Sequence, residues 1–300
     1  MPDIKNADEL FKDFKAQSVS EFFKKNAAML GYTGKIRSLT TLVHEGVTNA
    51  LDACEEAGIL PEIFVRIDEL GTEHYRVTIE DNASGIPLEY IPQVFGRMLA
   101  GSKAHRNIQS RGQQGIGVSG AVMFSQVTTG KPTIVHTSTG GKYIFKGKVQ
   151  LDVKHNVGEI VEKEKIHNKW GWRGTIISLE AKEILYNKSR YSPYNYLRMT
   201  SIANPHAQIT FIEPDGTRIL FERSTHTMPK LPKPIKPHPY GITPDDLLTM
   251  SGNTNKKSLG QFLEKDFVRI SASKVAEIGR QSGVSMKMRP DKLTWDEAER

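Results

Sequence analysis

Five prolines between Pro229 and Pro239, in the stretch MPKLPKPIKPHPYG, rule out a helix or an interior strand across those residues. Each proline fixes φ and removes a backbone donor, so the run has to be extended and the chain has to fold as two pieces on either side of it. Charge divides at nearly the same place. Residues 1–222 carry 27 basic and 25 acidic side chains, whereas residues 223–300 carry 14 and 9, so most of the net +7 lies in the last quarter. That excess fits either a polyanion partner or a plain soluble basic surface. No apolar run approaches the roughly 20 residues of a membrane span. The N-terminus, MPDIKNADELFKDFK, is charged and amphipathic and has no signal-peptide core. The single cysteine, Cys54, excludes an internal disulfide, fits a reducing cytoplasm and reads as helix packing.

Ahead of the prolines the patterning alternates between helical and strand periods. SVSEFFKKNAAMLG (18–31) reads as a short helix, and SLTTLVHEGVTNALDACEEAG (38–58) as the strongest helix, stopped by Gly58 and Pro61. PEIFVRIDELGTEHYRVTIED predicts a β-hairpin, and TIVHT, KYIFKGKV, EIVEKE and GTIISLE predict further strands. A helix near YNYLRMTSIA precedes a second hairpin, QITFIEPDGTRILFE, which turns at Pro214-Asp215-Gly216. The expected class is α+β, a largely antiparallel sheet with helices on one face. Beyond residue 241, ITPDDLLTMSG, KSLGQFLEKDF, SASKVAEIGRQSG and LTWDEAER read as short helices separated by glycine and serine stops. His136, His155 and His167 have no metal-ligand spacing, and Trp170, Trp172, Met123 and Phe124 read as packing.

Three stretches carry possible chemistry. Glu45, Asn49 and Asp52 fall within about 60° of one another on the strongest helix. They form either a solvated face or a polar site, and the poor helix formers Gly46, Thr48 and Asn49 favour a site. In YRVTIEDNASGIP, Asp81 continues the parity of Tyr75, Val77 and Ile79, so a carboxylate ends a core-facing row and needs a donor. An exocyclic amine of a purine is one such donor, and an ordinary Asp-Asn turn is the other reading. In RGQQGIGVSG, Gly115, Gly117 and Gly120 have dinucleotide-fingerprint spacing, but no strand precedes them and no acid follows at the required distance. A Walker lysine is also missing. What remains is a glycine-rich loop that opens a helix, a recipe for holding an anion.

Taken in order, EGVTNALDA, DNASGIP and RGQQGIGVSG resemble the three boxes of the Bergerat (GHKL) ATP-binding fold of type II DNA topoisomerases, heat-shock chaperones, sensor histidine kinases and mismatch-repair ATPases. Over roughly residues 20–241, the stretches HEGVTNALDACEEAGILP, FGRMLAGSK, RGQQGIGVSGAVMFSQ and KPHPYGI are similar to the B subunits of the archaeal type IIB enzymes, DNA topoisomerase VI. The resemblance implies a two-layer α+β sandwich with a mixed, mainly antiparallel sheet over residues 20–228. It further implies an N-terminal strap (1–19), a proline-rich linker (229–240) and a small all-α, helix-two-turn-helix-like domain (241–300).

For the site, the resemblance implies ATP and Mg²⁺. Glu45 becomes the general base and Asn49 the Mg²⁺ ligand. Asp81 accepts from the adenine amine, and Gly85 leaves room for the ring. Ser102 and Lys103 begin a lid, and Arg111, Gly112, Gln113, Gln114, Gly115, Ile116, Gly117 and Val118 wrap the triphosphate. Asp52 supports the pocket. Implied partners begin with DNA, met by the basic tail at Lys256, Lys257, Lys265, Arg269, Lys274 and Arg280. The others are the A subunit of topoisomerase VI, in an A2B2 assembly, and a second copy of this chain in an ATP-dependent homodimer crossed by residues 1–17. The implied setting is cytoplasmic, at the nucleoid.

Two features depart from the family pattern. Ala83 stands where the second box has glycine, and the sequence reaches Arg300 before the transducer domain and its phosphate-binding lysine. An N-terminal fragment with slow hydrolysis is therefore expected. A sensor histidine kinase would need a phosphoacceptor histidine before the first box, and KNAAMLGYTGKIRS has none. A non-hydrolysing DNA-binding scaffold would have no need of Glu45.

Overall fold

The computed structural model describes residues 27–28, 30–96, 111, 117–152, 157–233 and 235–300. The expected strap and most of the helix expected over 18–31 lie outside them. The described residues form two compact units, one ending at Leu231 and one beginning at Pro232. No described helix is long and apolar enough to cross a membrane.

Among the described residues the first unit is built on one eight-stranded sheet. Helix α1 (Lys35–Glu56) buries Leu39, Leu42, Val43, Val47, Ala50, Leu51 and Cys54 at helical spacing, which gives it a continuous apolar stripe. Strands β1 (Glu62–Gly71) and β2 (His74–Asp81) form the first hairpin, in register from Phe64 opposite Glu80. Next come α2 (Ile91–Gly96), α3 (Gly117–Thr129), β3 (Thr133–Thr139), β4 (Tyr143–Asp152), β5 (Val157–His167) and β6 (Arg173–Lys182). Helix α4 (Pro193–Ala203), capped by Ser192, precedes β7 (Gln208–Ile212) and β8 (Arg218–Phe221). The strand order is β5-β4-β3-β6-β2-β1-β7-β8, and every pairing is antiparallel except β1 with β7. The sheet is mixed because β7 returns alongside β1 only after the five intervening strands and α4.

Alternation along the strands sends Ile63, Val65, Ile67, Tyr75, Val77, Ile79, Ile177 and Leu179 into one core with the helices. The opposite face is polar. There Thr78 meets Ser178 at 2.8 Å, and Arg76 and Lys131 each meet Glu180 at 2.6 Å. Helix α3 is tied to the sheet by side chains as well as by packing. Ser125 Oγ donates to the Glu180 carbonyl at 2.6 Å, and the Gln126 amide bonds both backbone groups of Leu151 at 2.8 Å.

Trp170 does not pack. It is 92% exposed at the turn between β5 and β6, whereas Trp172 donates its indole N–H to Glu80 at 3.2 Å. The turn is held by Asn168, whose amide donates to Gly141 O and Trp172 O and accepts from Trp172 N–H. The conformation therefore needs nothing from the Trp170 side chain.

Among the described residues the second unit has four α-helices, α5 (Pro244–Asn253), α6 (Leu259–Asp266), α7 (Ala272–Ser282) and α8 (Trp295–Glu299). Their starts follow from capping chemistry. Thr243 with Asp246 and Thr294 with Glu297 form capping boxes, and Ser258 and Ser271 accept from the third helical N–H. Gly283 in the left-handed region ends α7 right after Ser282, where QSG is expected to stop the helix. The small core is Leu259, Phe262, Leu263, Phe267 and Val284.

Candidate functional site

Helix α1 carries Glu45, Asn49 and Asp52 along one stripe and rests on β2, whose last residue is Asp81. Close approach of the two elements depends on Gly46. A Cβ there would lie 2.2 Å from Ile79 Cδ1, so the absent side chain lets the helix settle on the strand. Gly46 is explained by packing on Ile79, which removes it from the argument that poor helix formers mark a site. Further along, Cys54 Sγ donates to Asn82 Oδ1 at 3.3 Å, and burial pushes its thiol up to about 12, as expected of an inert packing cysteine.

Glu45 is half-buried beside His44, with 4.0 Å between Nε2 and Oε1. Burial raises its pKa and the His44 charge partly offsets this, so the carboxylate is more basic than one in water. Asn49 Nδ2 donates to the Glu45 carbonyl at 2.7 Å, and no described residue uses Asn49 Oδ1. That division leaves an oxygen acceptor for a hard cation. Among the described residues no three His, Cys, Asp or Glu side chains group to hold a metal by themselves.

Asp81 Oδ1 accepts from Ala83 N–H at 3.0 Å and Thr175 N–H at 3.2 Å. Burial pushes its pKa up to about 6 despite both donors. The turn after it is set by Gly85, at φ +74°, where a Cβ would stand 2.1 Å from the Ser138 carbonyl oxygen. Thr137 Oγ1 accepts from Ile86 N–H at 2.8 Å and fastens the turn to β3. Asn82 does not face the site. Its amide braces the entry to β1, accepting from Glu62 N–H at 3.0 Å and donating to Leu60 O at 3.1 Å.

Of the glycine-rich stretch, Arg111, Gly117 and Val118 are among the described residues. Ser102, Lys103, Gly112, Gln113, Gln114, Gly115 and Ile116 lie outside them. Gly117 begins α3 against Glu45, close enough that a Cβ would lie 2.0 Å from Glu45 Oε2. Val118 packs at the edge of the core. The Arg111 guanidinium is on Asp52, Glu55 and Asn204. Glu45, Asn49 and the start of the glycine helix are therefore side by side, and Asp81 ends the strand on which their helix rests.

Residues 34–157 match the family described as histidine kinase-, DNA gyrase B-, and HSP90-like ATPase. The chain is 61% identical over 272 residues to the B subunit of Type 2 DNA topoisomerase 6 from Pyrococcus horikoshii, covering 91% of this chain and 48% of that protein. It is 46% identical over 295 residues to the protein of the same name from Methanothermobacter thermautotrophicus, covering 97% and 56%. The chain belongs to the family of topoisomerase 6 B subunits. It spans about half the length of the curated relatives of that family it matches.

Several site residues of this family member escape a sequence reading. Thr137 and Thr175 serve the Asp81 turn from strands far along the chain, and nothing in their local sequence marks them. Glu55 and Asn204 hold Arg111 and His206 holds Glu55, and the local cue is that Glu55 follows Leu51 by four residues on the apolar side of α1.

Proposed function

We propose that the first unit binds Mg-ATP and hydrolyses it, and that the whole protein uses this to pair two copies and gate DNA strand passage. On this reading it is the B subunit of a type II DNA topoisomerase, assembled with the A subunit as A2B2. The main support is one juxtaposition, with Glu45 and Asn49 beside the start of the glycine helix and Asp81 at the end of the supporting strand.

The ligand lies with its adenine amine donating to Asp81, its ring over Gly85 and its triphosphate along Asn49 toward Glu45. The stretch from Gly112 to Val118 wraps the phosphates with backbone N–H groups, following the lid that opens at Ser102 and Lys103. Glu45 accepts a proton from the water whose oxygen attacks the γ-phosphorus. The bond from that phosphorus to the bridging oxygen breaks, and ADP leaves with the electron pair. Mg²⁺ held by Asn49 Oδ1 and the phosphates would neutralise charge that develops on the transferring group. The raised basicity of a half-buried Glu45 suits the proton transfer.

Residues 1–17 are proposed as the strap that crosses between paired copies. The second unit is proposed to meet DNA phosphates. Lys256 and Lys257 stand with Arg289 around a polar cavity of about 460 Å³, a sequence-independent electrostatic surface.

The test is binding of a non-hydrolysable ATP analogue with and without Mg²⁺, scored by sedimentation for dimers. Magnesium-dependent binding with dimer formation is expected. No binding in either condition would overturn the assignment.

The adenine contact has its own signature. An amine donating to Asp81 favours the ionised carboxylate and so lowers a pKa that stands at about 6 in the free protein. Nucleotide binding near pH 6 is then expected to release protons, and release should fade well above that pH, where Asp81 is already ionised. Calorimetry in two buffers of different ionisation enthalpy measures this directly. Proton uptake would exclude the contact.

A further inference from the structure

Arg111 stands at the entrance to the glycine-rich stretch, and both terminal nitrogens of its side chain are engaged. Nη1 donates to Asp52 Oδ1 at 2.9 Å and Glu55 Oε2 at 2.7 Å, and Nη2 donates to Glu55 Oε1 at 2.8 Å and Asn204 Oδ1 at 2.6 Å. Glu55 Oε1 also lies 2.8 Å from His206 Nε2. Asp52, Glu55, Asn204 and His206 are all buried. Two buried carboxylates converge on one guanidinium, which fixes the Arg111 side chain against α1. The planar fork, with two parallel bonds to Glu55, is a geometry that lysine cannot reproduce.

At the far end of the stretch, Gly117 lies against Glu45. Both ends therefore rest on α1, seven to ten helical residues apart, which is about 10–15 Å along the axis. Asn49 lies between the two anchors on the same helix face. Arg111 and Gly117 are held before any ligand arrives, which lowers the cost of placing them for a phosphate.

We propose that Arg111 is a positioning residue, not a phosphate ligand. Through Asp52, Glu55 and Asn204 it sets where the glycine-rich stretch starts, and so tunes nucleotide affinity without touching the nucleotide. This rests on the nucleotide reading of the site and replaces Arg111's expected place among the groups that wrap the triphosphate.

The experiment measures affinity for a non-hydrolysable ATP analogue with Mg²⁺, alongside thermal stability, for the 300-residue chain and for Arg111→Ala, Arg111→Lys, Glu55→Gln and the double variant Arg111→Ala/Glu55→Gln. The expected result is that each single variant binds about tenfold more weakly, that lysine does not rescue, and that the double variant is no worse than Arg111→Ala. A direct phosphate contact gives a different pattern. Lysine keeps most of the affinity, and Glu55→Gln, which frees the guanidinium, binds as well as wild type or better; that pattern overturns the proposal. Wild-type affinity in all variants, with only the melting temperature lowered, overturns it as well and leaves Arg111 a purely structural ion pair. Should Glu55→Gln fail to fold, Asn204→Ala removes one contact while keeping both carboxylates paired. It is expected to weaken binding about threefold, and unchanged affinity there counts against the proposal. Wild-type protein that binds no analogue refutes the nucleotide assignment itself, a result separable from all the others.

Discussion

Glu45→Gln is expected to lower ATP turnover by about 10²–10⁴-fold while the nucleotide still binds. The amide keeps the size and shape of the carboxylate, so the close seat of Gly117 against it is preserved, but it cannot take a proton from water. Glu45 is held in a half-buried position whose desolvation raises its basicity, and a glutamine removes that basicity without opening the site to solvent. Single-turnover hydrolysis together with analogue binding separates the two effects. If turnover and affinity fell together, Glu45 would be a binding group or a structural one. If turnover were unchanged, the attacking water would be activated elsewhere and the proposed chemistry would fail.

The second large effect is structural. Gly85→Val should destabilise the first unit by roughly 3 kcal/mol and abolish nucleotide binding, because two penalties coincide. At φ +74° a β-branched L residue is strained, and its Cβ would stand 2.1 Å from the Ser138 carbonyl oxygen and 2.6 Å from its carbon. Both are backbone atoms and cannot swing aside. Either the turn leaves its conformation or the end of β3 moves, and in both cases the bond from Ile86 N–H to Thr137 is at risk. Urea denaturation read by a signal of the first unit, with analogue binding on the folded fraction, checks this. A variant as stable as wild type would mean that the turn does not need its left-handed residue.

Much of this is legible in the amino-acid order alone. The buried stripe of α1 follows from apolar spacing, and the parity of β2 puts Asp81 at the end of a core-facing row. Pro214-Asp215-Gly216 marks the turn between β7 and β8. What cannot be read depends on contacts between distant residues. The parallel pairing of β1 with β7 leaves no local trace in either strand. Gly46 reads as a cost borne for function, because nothing nearby says that Ile79 lies beneath it. The bonds of Arg111 to Glu55 and Asn204, and of Glu55 to His206, each join residues more than fifty positions apart and leave no local trace.

The seating of α1 on β2 through Gly46 and Ile79 makes the two elements one stiff body. On the nucleotide assignment, the carboxylate that recognises the purine and the one that drives hydrolysis then cannot shift independently. On that assignment the pair would work as a gauge of fixed length. A nucleoside or monophosphate anchored at one mark falls short of the other, so ligand length, as well as base identity, decides whether the chemistry can start.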